Sequence, residues 1–145
     1  MKLIEPRTKI ELEAYYDLRW RILRKPWELK RGSEKDELDK SSYHLMVLDE
    51  STGEVAAVGR LQINSNDEAQ IRYMAVADRY QGQGLGSKIV EELEKIALKK
   101  GVQSVILQAR KNAVKFYEKN GYEIVEKSYV LFDEIQHWLM RKEIE

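Results

Sequence analysis

The chain contains no cysteine, and this absence narrows the chemistry that the protein can perform. Disulfide bridges, thiolate metal sites and a cysteine nucleophile for a covalent acyl-enzyme are all excluded. Basic and acidic side chains number 25 each, so the basic excess typical of nucleic-acid-binding proteins is also missing. No apolar run approaches the ~20 residues of a membrane-spanning helix, and no apolar signal segment opens the sequence. We therefore expect a cytoplasmic protein that uses no metal and binds neither nucleic acid nor membrane.

A length of 145 residues suits a single domain, which we place over residues 1–145. The first helix should begin at Thr8, because Thr8 and Glu11 have the spacing of a capping box, and it should end before Pro26. Apolar periodicity predicts a second helix from Leu85 to the lysines before Gly101. Strand patterns cover residues 2–5, 43–49, 54–64, 69–76, 104–109, 122–132 and 136–144. The strand after the second helix should run parallel to the strand before it, whereas the earlier strands should be antiparallel.

Three glycines, Gly82, Gly84 and Gly86, alternate directly before the second helix. Glycines at that position allow consecutive backbone N–H groups to point into one concavity beside the positive end of the helix dipole. A diphosphate fits such a site, and a tight turn without a ligand is the simpler alternative. Two familiar phosphate motifs do not match. A nucleotide P-loop ends in Gly-Lys-Ser/Thr, and a dinucleotide fingerprint needs its third glycine one residue later.

The glycine segment resembles a loop of the GNAT superfamily of N-acetyltransferases. Gln81, Gly84 and Gly86 match its Gln/Arg-x-x-Gly-x-Gly/Ala loop, which binds the pyrophosphate of acetyl-CoA. Residues 112–125, NAVKFYEKNGYEIV, are similar to the family's Asn-Ala-x-x-Phe-Tyr-x-x-x-Gly-Phe/Tyr segment. One helix and one strand separate the two motifs, as in the family. The resemblance implies an α+β fold, with a mixed, mostly antiparallel sheet that has a central parallel strand pair and is flanked by helices.

The resemblance also implies where acetyl-CoA would bind. In the family, the strand before the loop splays from the next parallel strand, and the pantetheine arm lies in the gap. The implied cofactor-binding residues are Met74, Ala75, Val76, Gln81, Gly82, Gln83, Gly84, Leu85, Gly86, Ser87, Asn112 and Tyr117. Asn112 also has the position of an N-cap for a short third helix, and the two roles are compatible. Basic residues around the motifs would either contact the 3′-phosphate or form a solvated face; they are Arg79, Lys88, Arg110, Lys111 and Lys115.

Tyr117 is the candidate general acid, because it resembles the tyrosine with which many family members protonate the leaving thiolate. A phenol with a pKa of about 10 is protonated at neutral pH, and core packing beside Phe116 is the alternative role. The backbone N–H near Val76 is the candidate donor to the developing oxyanion. The general base is harder to assign, since the position matching the family's glutamate is Gln70. Glu68, on the same strand face, is our candidate. The alternatives left open are His44, His137 and a chain of water molecules.

The sequence does not identify the acceptor that binds in the cleft. In such folds the first helix, the following loop and the late strands build the acceptor side of the cleft, and here they carry aromatic and acidic side chains suited to a cationic amine. These residues are the segment 18–27, Glu34, Asp36, Glu37, Asp39 and Trp138. Arg72 would instead favour an acceptor that bears a carboxylate. A homodimer also stays open.

The leading hypothesis is an acetyl-CoA-dependent N-acetyltransferase that moves the acetyl group directly to an amine in a ternary complex. Direct transfer follows from the missing cysteine and from the lack of an evident nucleophile–base pair. The alternative is a non-catalytic acyl-CoA-binding or regulatory module on the same fold, which the glutamine at position 70 motivates. A nucleotide-binding protein is the third hypothesis, and the motif mismatches disfavour it.

Overall fold

Seven strands form one mixed sheet in the computed structural model of the chain, which describes residues 1–132 and 134–145. The strands are β1 (Lys2–Ile4), β2 (Tyr43–Leu48), β3 (Val55–Ile63), β4 (Glu68–Val76), β5 (Ser104–Arg110), β6 (Glu123–Leu131) and β7 (Ile135–Glu143). Their order across the sheet is β1-β2-β3-β4-β5-β7-β6. Only β4 and β5 are parallel neighbours among these strands. The predicted mostly antiparallel sheet with a central parallel pair is confirmed.

Three α-helices flank the sheet in the described ranges: α1 (Lys9–Leu23), α2 (Leu85–Lys99) and α3 (Val114–Lys119). Short 3₁₀ turns lie at Lys25–Trp27, Glu37–Ser41, Asp78–Tyr80 and Lys111–Ala113. The predicted capping box is present, since Glu11 N donates to Thr8 Oγ1 at 3.1 Å and Thr8 N donates to Glu11 Oε1 at 3.0 Å. The cap predicted for α3 was wrong: its N-cap is Ala113 rather than Asn112, and no side chain caps it. None of the helices in the described residues is long and apolar enough to cross a membrane.

Helices α1 and α2 pack on opposite faces of the sheet, as two neighbouring residues of β3 show. The guanidinium of Arg60 points toward α1, where it shares the Asp39 carboxylate with Arg19. Gly59 faces α2, and a Cβ atom there would lie only 2.6 Å from Ile89 Cγ2. Glycine at this position therefore lets α2 lie directly on β3. Buried apolar residues of both helices and of the central strands form one continuous core.

The middle of β4 is irregular, and the cleft begins there. Tyr73 has a φ of +56°, in the left-handed region that bulky residues rarely adopt. At the same level, the pairing of β3 with β4 skips from Val58 to Arg60. The pairing of β4 with β5 ends where Ile71 lies opposite Leu107, although both strands continue beyond that point. The two parallel strands therefore separate, and a gap opens between their carboxyl ends.

Candidate active site

The gap between β4 and β5 exposes backbone groups of β4. Ala77 N donates to Ala56 O at 2.9 Å, on the side of β4 that faces β3. Because successive N–H groups of a strand alternate in direction, the N–H of Val76 points the opposite way, toward the gap. Met74, Ala75 and Val76 line a groove that continues from this gap. This N–H thus points into the groove at the position predicted for the oxyanion donor.

The groove ends at the N-terminus of α2, where the backbone offers further hydrogen-bond donors. Gly82 and Gly84 have φ of +78° and +79°, a left-handed conformation that costs other residues about 1–2 kcal/mol. Gly84 is the N-cap of α2, and no side chain caps the helix. Lys88 N makes a helical bond to Gly84 O at 3.1 Å, so the N–H groups of residues 85–87 have no helical acceptor. Uncapped N–H groups at the positive end of a helix dipole form an anion site.

Gly86 is required by close packing rather than by its backbone angle. A Cβ atom there would lie 3.0 Å from Phe116 Cζ and 3.5 Å from Val76 Cγ2. Eleven of the twelve predicted cofactor residues line the groove: Met74, Ala75, Val76, Gln81, Gly82, Gly84, Leu85, Gly86, Ser87, Asn112 and Tyr117. Gln83 is exposed and lies outside the lining. The structure therefore brings the two sequence motifs together on the walls of one groove.

The groove is weakly charged. Its volume is about 560 Å³, and Lys119 is the one charged side chain among the described residues that line it. Asn112 lies in the turn before α3 and caps neither that turn nor the helix, so its amide is available to a ligand. Arg79 and Lys88 instead pair with acidic side chains on the surface, at 3.0 and 3.4 Å. These two residues fit the solvated face that was the alternative to phosphate binding.

Tyr117 lies where the groove meets a second, deeper pocket, because it lines both. Its ring packs against Phe116 and Tyr122, with centroids 4.9 and 6.0 Å away. The residue is only 7 % exposed. Burial raises the pKa of the Tyr117 phenol above its ordinary value, and no hydrogen bond to the described residues opposes that effect. The hydroxyl therefore keeps its proton at neutral pH and can donate to a bound ligand.

The second pocket holds about 160 Å³ and is lined from the end of α1 and from β4, β5, β6 and β7. Met74, Ala113 and Tyr117 line both this pocket and the groove, so the two cavities join there. Its basic side chains are Arg24, Arg72, Arg110 and His137. Arg110, which the sequence placed near the coenzyme phosphate, thus lines the acceptor pocket and not the groove.

His137 is buried and is held as a neutral imidazole. Its Nδ1–H donates to Ile135 O at 3.1 Å, which leaves Nε2 with a free lone pair. The ring stacks on Tyr129, with centroids 4.3 Å apart and planes 18° apart. Burial, and then the positive charge of Arg110, lower the pKa of His137 despite the bond to Ile135. A neutral imidazole in the pocket that Tyr117 also lines can accept a proton from a bound amine.

An ionic network lies beneath the pocket. Asp39 Oδ1 accepts from Arg19 and Arg60, each at 2.9 Å, and both arginines are completely buried. Asp36 Oδ2 accepts from Arg72 at 3.3 Å and from the Tyr73 hydroxyl at 3.2 Å. Burial opposes ionisation of both aspartates, but hydrogen bonds and the arginine charges outweigh it and lower both pKa values. Arginines therefore occupy these carboxylates, which the sequence had offered to a cationic amine.

Glu68, the predicted general base, does not lie in the cleft. It is the first residue of β4, and its Oε2 accepts from Asn64 at 3.0 Å. Met74 at the junction is six positions further along the strand, which is about 20 Å at the usual rise per residue. Gln70 Oε1 accepts from the same amide at 3.1 Å. Neither side chain lines the groove or the pocket, so proton transfer from the acceptor to Glu68 would need a chain of water molecules.

Two further residues named from the sequence also lie elsewhere. His44 donates from Nε2 to Asp39 O and accepts the Tyr15 hydroxyl at Nδ1, both at 2.7 Å, so it belongs to the network. Trp138 follows His137 in β7 and faces away from the pocket, with Lys127 Nζ 5.5 Å from its ring. Sequence reasoning missed Gln108 in the pocket lining, whereas Arg24 belongs to the segment 18–27 that it had placed on the acceptor side. Gln108 gave a usable signal, because it is a polar residue that directly follows the apolar run from Val105 to Leu107.

Comparisons with known proteins agree with this geometry. A model of the acetyltransferase (GNAT) family matches residues 12–122. A Bacillus subtilis (strain 168) relative described as the uncharacterized N-acetyltransferase YjcF is 28% identical and covers 99% of this chain and 100% of its own. The structure of an acyl-CoA N-acyltransferase from Pseudomonas aeruginosa is 26% identical, covers 97% of each chain and has a TM-score of 0.79.

A fourth similarity concerns the fold alone. The structure of an aminoglycoside 6′-N-acetyltransferase complexed with coenzyme A is 16% identical, covers 100% of this chain and 98% of its own, and has a TM-score of 0.81. The family match spans most of the chain and includes the glycine loop and the segment from Asn112 to Tyr122. With this match, the topology and both motifs, the chain belongs to the acetyltransferase (GNAT) family.

Proposed function

We propose that the protein transfers the acetyl group of acetyl-CoA directly to an amine, with both substrates bound at once. One observation carries the proposal. The protonated hydroxyl of Tyr117 has no hydrogen-bond partner among the described residues, and it lies where the groove that ends at the uncapped N-terminus of α2 joins a separate pocket. A donor in the groove and an acceptor in the pocket would meet at that hydroxyl. The coenzyme A complex of a protein with the same fold supports acetyl-CoA as the donor.

The donor would lie along the groove. The backbone of residues 81–87, with its free N–H groups at the start of α2, would bind the pyrophosphate. The gap-facing backbone of Met74, Ala75 and Val76 would bond the pantetheine arm, and the Asn112 amide would do so from the opposite wall. This placement brings the thioester to the junction beside Tyr117. No group of three or more His, Cys, Asp or Glu in the described residues is arranged to hold a metal ion.

The reaction is a nucleophilic attack by the neutral amine on the thioester carbonyl carbon. A C–N bond forms, the C–S bond breaks, and the Val76 N–H stabilises the oxyanion. An ammonium acceptor loses two protons in becoming an amide. Tyr117 gives its own proton to the thiolate, and one of the two protons from the acceptor replaces it. The other proton is released to solvent. The products are the N-acetylated acceptor, coenzyme A with a free thiol, and one proton.

For the base we propose His137 rather than Glu68. His137 lines the acceptor pocket and has a free Nε2 lone pair, whereas Glu68 is bonded to Asn64 at the other end of β4. An imidazole of lowered pKa is unprotonated at neutral pH and is ready to accept the first proton of an ammonium acceptor. Glu68 stays the alternative base, reached through water.

Two measurements test the function. Calorimetry with acetyl-CoA, ATP and NAD should show tight binding of acetyl-CoA alone. A thiol-release assay across a panel of amines should show turnover, with intersecting initial-rate lines that indicate a ternary complex. Parallel lines together with an acetylated enzyme in mass spectrometry would contradict direct transfer. Acetyl-CoA binding without thiol release from any amine would favour the non-catalytic acyl-CoA-binding module, which the absence of a glutamate at position 70 still motivates.

A further inference from the structure

The pocket beside Tyr117 carries unbalanced positive charge. Arg24, Arg72 and Arg110 line it, and no aspartate or glutamate is among its described lining residues. Half-buried cations are stabilised when a counter-charge lies within hydrogen-bonding distance, and they are costly without one. The pocket therefore lacks an anion of its own.

Two of these arginines have no carboxylate partner in the part of the chain that the structure describes. Arg24 donates to backbone carbonyls instead, from Nε to Ser33 O at 3.0 Å and from Nη1 to Leu23 O at 3.2 Å. Arg110 is half-buried, and burial followed by the nearby charge of Arg24 lowers its pKa. Two like charges are thus held close together at the end of the pocket that α1 and β5 form.

Arg72 differs from these two because its charge is already compensated. Its Nη1 lies 3.3 Å from Asp36 Oδ2, and the same aspartate binds Arg60 through its other oxygen at 2.6 Å. An incoming anion would therefore be drawn to Arg24 and Arg110 rather than to Arg72. This comparison assigns the unsatisfied charge to two guanidinium groups.

Gln108 adds an unsatisfied acceptor to the same pocket. Its Oε1 is buried and accepts no hydrogen bond from the described residues. Gln108 and Arg110 are two residues apart in β5 and so project from one face of the strand, and both line the pocket. A molecule with an N–H donor next to an anionic group would satisfy both side chains at once.

We propose that the acceptor is a small amine that also bears a carboxylate, with the carboxylate held by Arg24 and Arg110 and an amine N–H accepted by Gln108. The proposal rests on the acetyl transfer proposed above and names its acceptor class. The planar guanidinium matches a carboxylate through two parallel hydrogen bonds. A volume of about 160 Å³ admits a group of only a few heavy atoms, which fits an α-amino acid. A polycationic amine would meet like charges there.

The test compares acceptors that differ in the carboxylate alone. Thiol release from acetyl-CoA is measured with the proteinogenic L-amino acids, their α-amides and the corresponding decarboxylated amines. O-phosphoethanolamine and ethanolamine form a matched phosphate pair. We expect at least one free amino acid to exceed its amide and its decarboxylated amine by about 10- to 100-fold in kcat/KM, the effect of losing charge-assisted hydrogen bonds.

Variants assign that preference to the two arginines. Arg24→Gln and Arg110→Gln should each raise KM for the preferred amino acid by about tenfold or more and should remove its advantage over the amide. Arg110→Lys should restore part of it, because the charge remains while the planar fork is lost. Calorimetry should show unchanged acetyl-CoA affinity in all three. Arg141→Gln is the matched control, since Arg141 is an exposed arginine of β7 that pairs with Glu143.

Each outcome bears on one proposal. Amides or decarboxylated amines used as well as amino acids, or an unchanged KM in both glutamine variants, would overturn the carboxylate while acetyl transfer stands. A preference for O-phosphoethanolamine alone would overturn it in favour of a phosphate. If no amine releases thiol, the proposed function fails. The anion site is then tested by calorimetry of N-acetyl amino acids with the coenzyme A-loaded protein. Binding that Arg110→Gln abolishes would support the site, and no binding would overturn it.

Discussion

The groove and the arginine pocket meet at Tyr117 but are built in opposite ways. Backbone and mostly uncharged side chains from two short stretches, within residues 74–87 and 112–119, form the groove. Side chains from the end of α1 and from β4, β5, β6 and β7 form the pocket, and three of them are arginines. Fixed backbone N–H groups suit a donor that is the same in every turnover, whereas side chains suit the choice of an acceptor. Under the proposed function, this difference assigns donor binding to the groove and acceptor selectivity to the pocket.

The largest effect is expected at the junction, where Tyr117→Phe removes one hydroxyl and keeps the ring. If the hydroxyl protonates the leaving thiolate, kcat and kcat/KM should both fall by about 10²–10⁴-fold, the usual contribution of a general acid. Acetyl-CoA affinity should change little, because the ring still lines both cavities. Steady-state kinetics with the best amine acceptor, together with calorimetry, measures both.

Tyr122→Phe is the matched control for that experiment. Tyr122 is buried beside Tyr117, but its hydroxyl donates to Glu94 Oε2 at 2.8 Å and lies outside both cavities. Its loss should cost stability and leave turnover near the wild-type value. Equal turnover in Tyr117→Phe and the wild type, under conditions where chemistry limits the rate, would remove Tyr117 from the mechanism.

The second largest effect should arise in the network beneath the pocket, from Asp39→Asn. This change leaves the completely buried guanidinium groups of Arg19 and Arg60 short of an anion. Breaking a buried ion pair from one side typically costs about 3–5 kcal/mol of unfolding free energy. Urea unfolding should show that loss, whereas Glu143→Gln, in the exposed pair with Arg141, should cost under about 1 kcal/mol.

Asp39→Asn also sharpens the comparison of the two halves. At a temperature where the variant is folded, its acceptor KM should rise because Arg72 and Tyr73 are held by the same network. Its acetyl-CoA affinity should stay at the wild-type value, because the groove does not contact the network. A variant that loses both affinities equally would show that the two halves are one cooperative unit.

The contrast also explains what could be read from the sequence. Gly84 and Gly86 indicate the groove in the sequence. Gly84 is needed for its backbone conformation and Gly86 for close packing, and both are local requirements that glycine meets. The pocket gives a weaker signal, since its side chains are distant in sequence and His137 is brought next to β5 only by the order β5-β7-β6. Tyr73 carries a left-handed backbone without being glycine, so the bulge that opens the cleft has no residue-type marker.

Buried charge was the other feature that patterns did not predict. Arg19 lies among the apolar residues of α1 and is fully buried, because Asp39 comes from a loop to pair with it. Asn112 is the opposite case, a polar residue that was expected to be paired. Because α3 begins at Val114, the Asn112 side chain does not cap the helix. Local sequence patterns thus predicted where the helices and strands lie. Which polar groups are available to a ligand depends instead on pairing between residues that are distant in sequence.

A smaller effect, confined to the groove, is expected from Gly84→Val, with Gly53→Val as its control. Gly84 has a φ of +79° and Gly53 a φ of +78°. A Cβ atom at either position would meet no neighbour within 4 Å. Both variants should therefore lose about 1–2 kcal/mol of stability from backbone strain. Only Gly84→Val should also weaken acetyl-CoA binding, by about tenfold or more, because it distorts the N-cap of α2. Equal calorimetric affinity in the two variants would remove the pyrophosphate from this loop.

The smallest effect is the pH dependence of the free energy of unfolding. It concerns the acceptor half alone, because His137 lines the pocket and His44 belongs to the network beneath it. Burial is the main cause that lowers the pKa of His44 and of His137 in the folded protein. The unfolded chain therefore binds protons below about pH 6.5 that the folded protein does not, so the free energy of unfolding falls as pH drops below that value. The slope is at most about 1.4 kcal/mol per pH unit for each histidine.

His44→Gln should make that slope shallower, since the amide can replace both hydrogen bonds without titrating. The pKa values of Asp36 and Asp39 are lowered, so their protonation should reduce stability only at more acidic pH, below the window from about pH 5 to 6.5. Urea unfolding at several pH values in that window measures the slope. An unchanged slope in His44→Gln would mean that His44 takes up a proton as readily in the folded protein as in the unfolded chain, with Nδ1–H then donating to the Tyr15 hydroxyl. The network beneath the pocket would then tolerate an added charge, and its role in holding the acceptor half rigid would have to be reassigned.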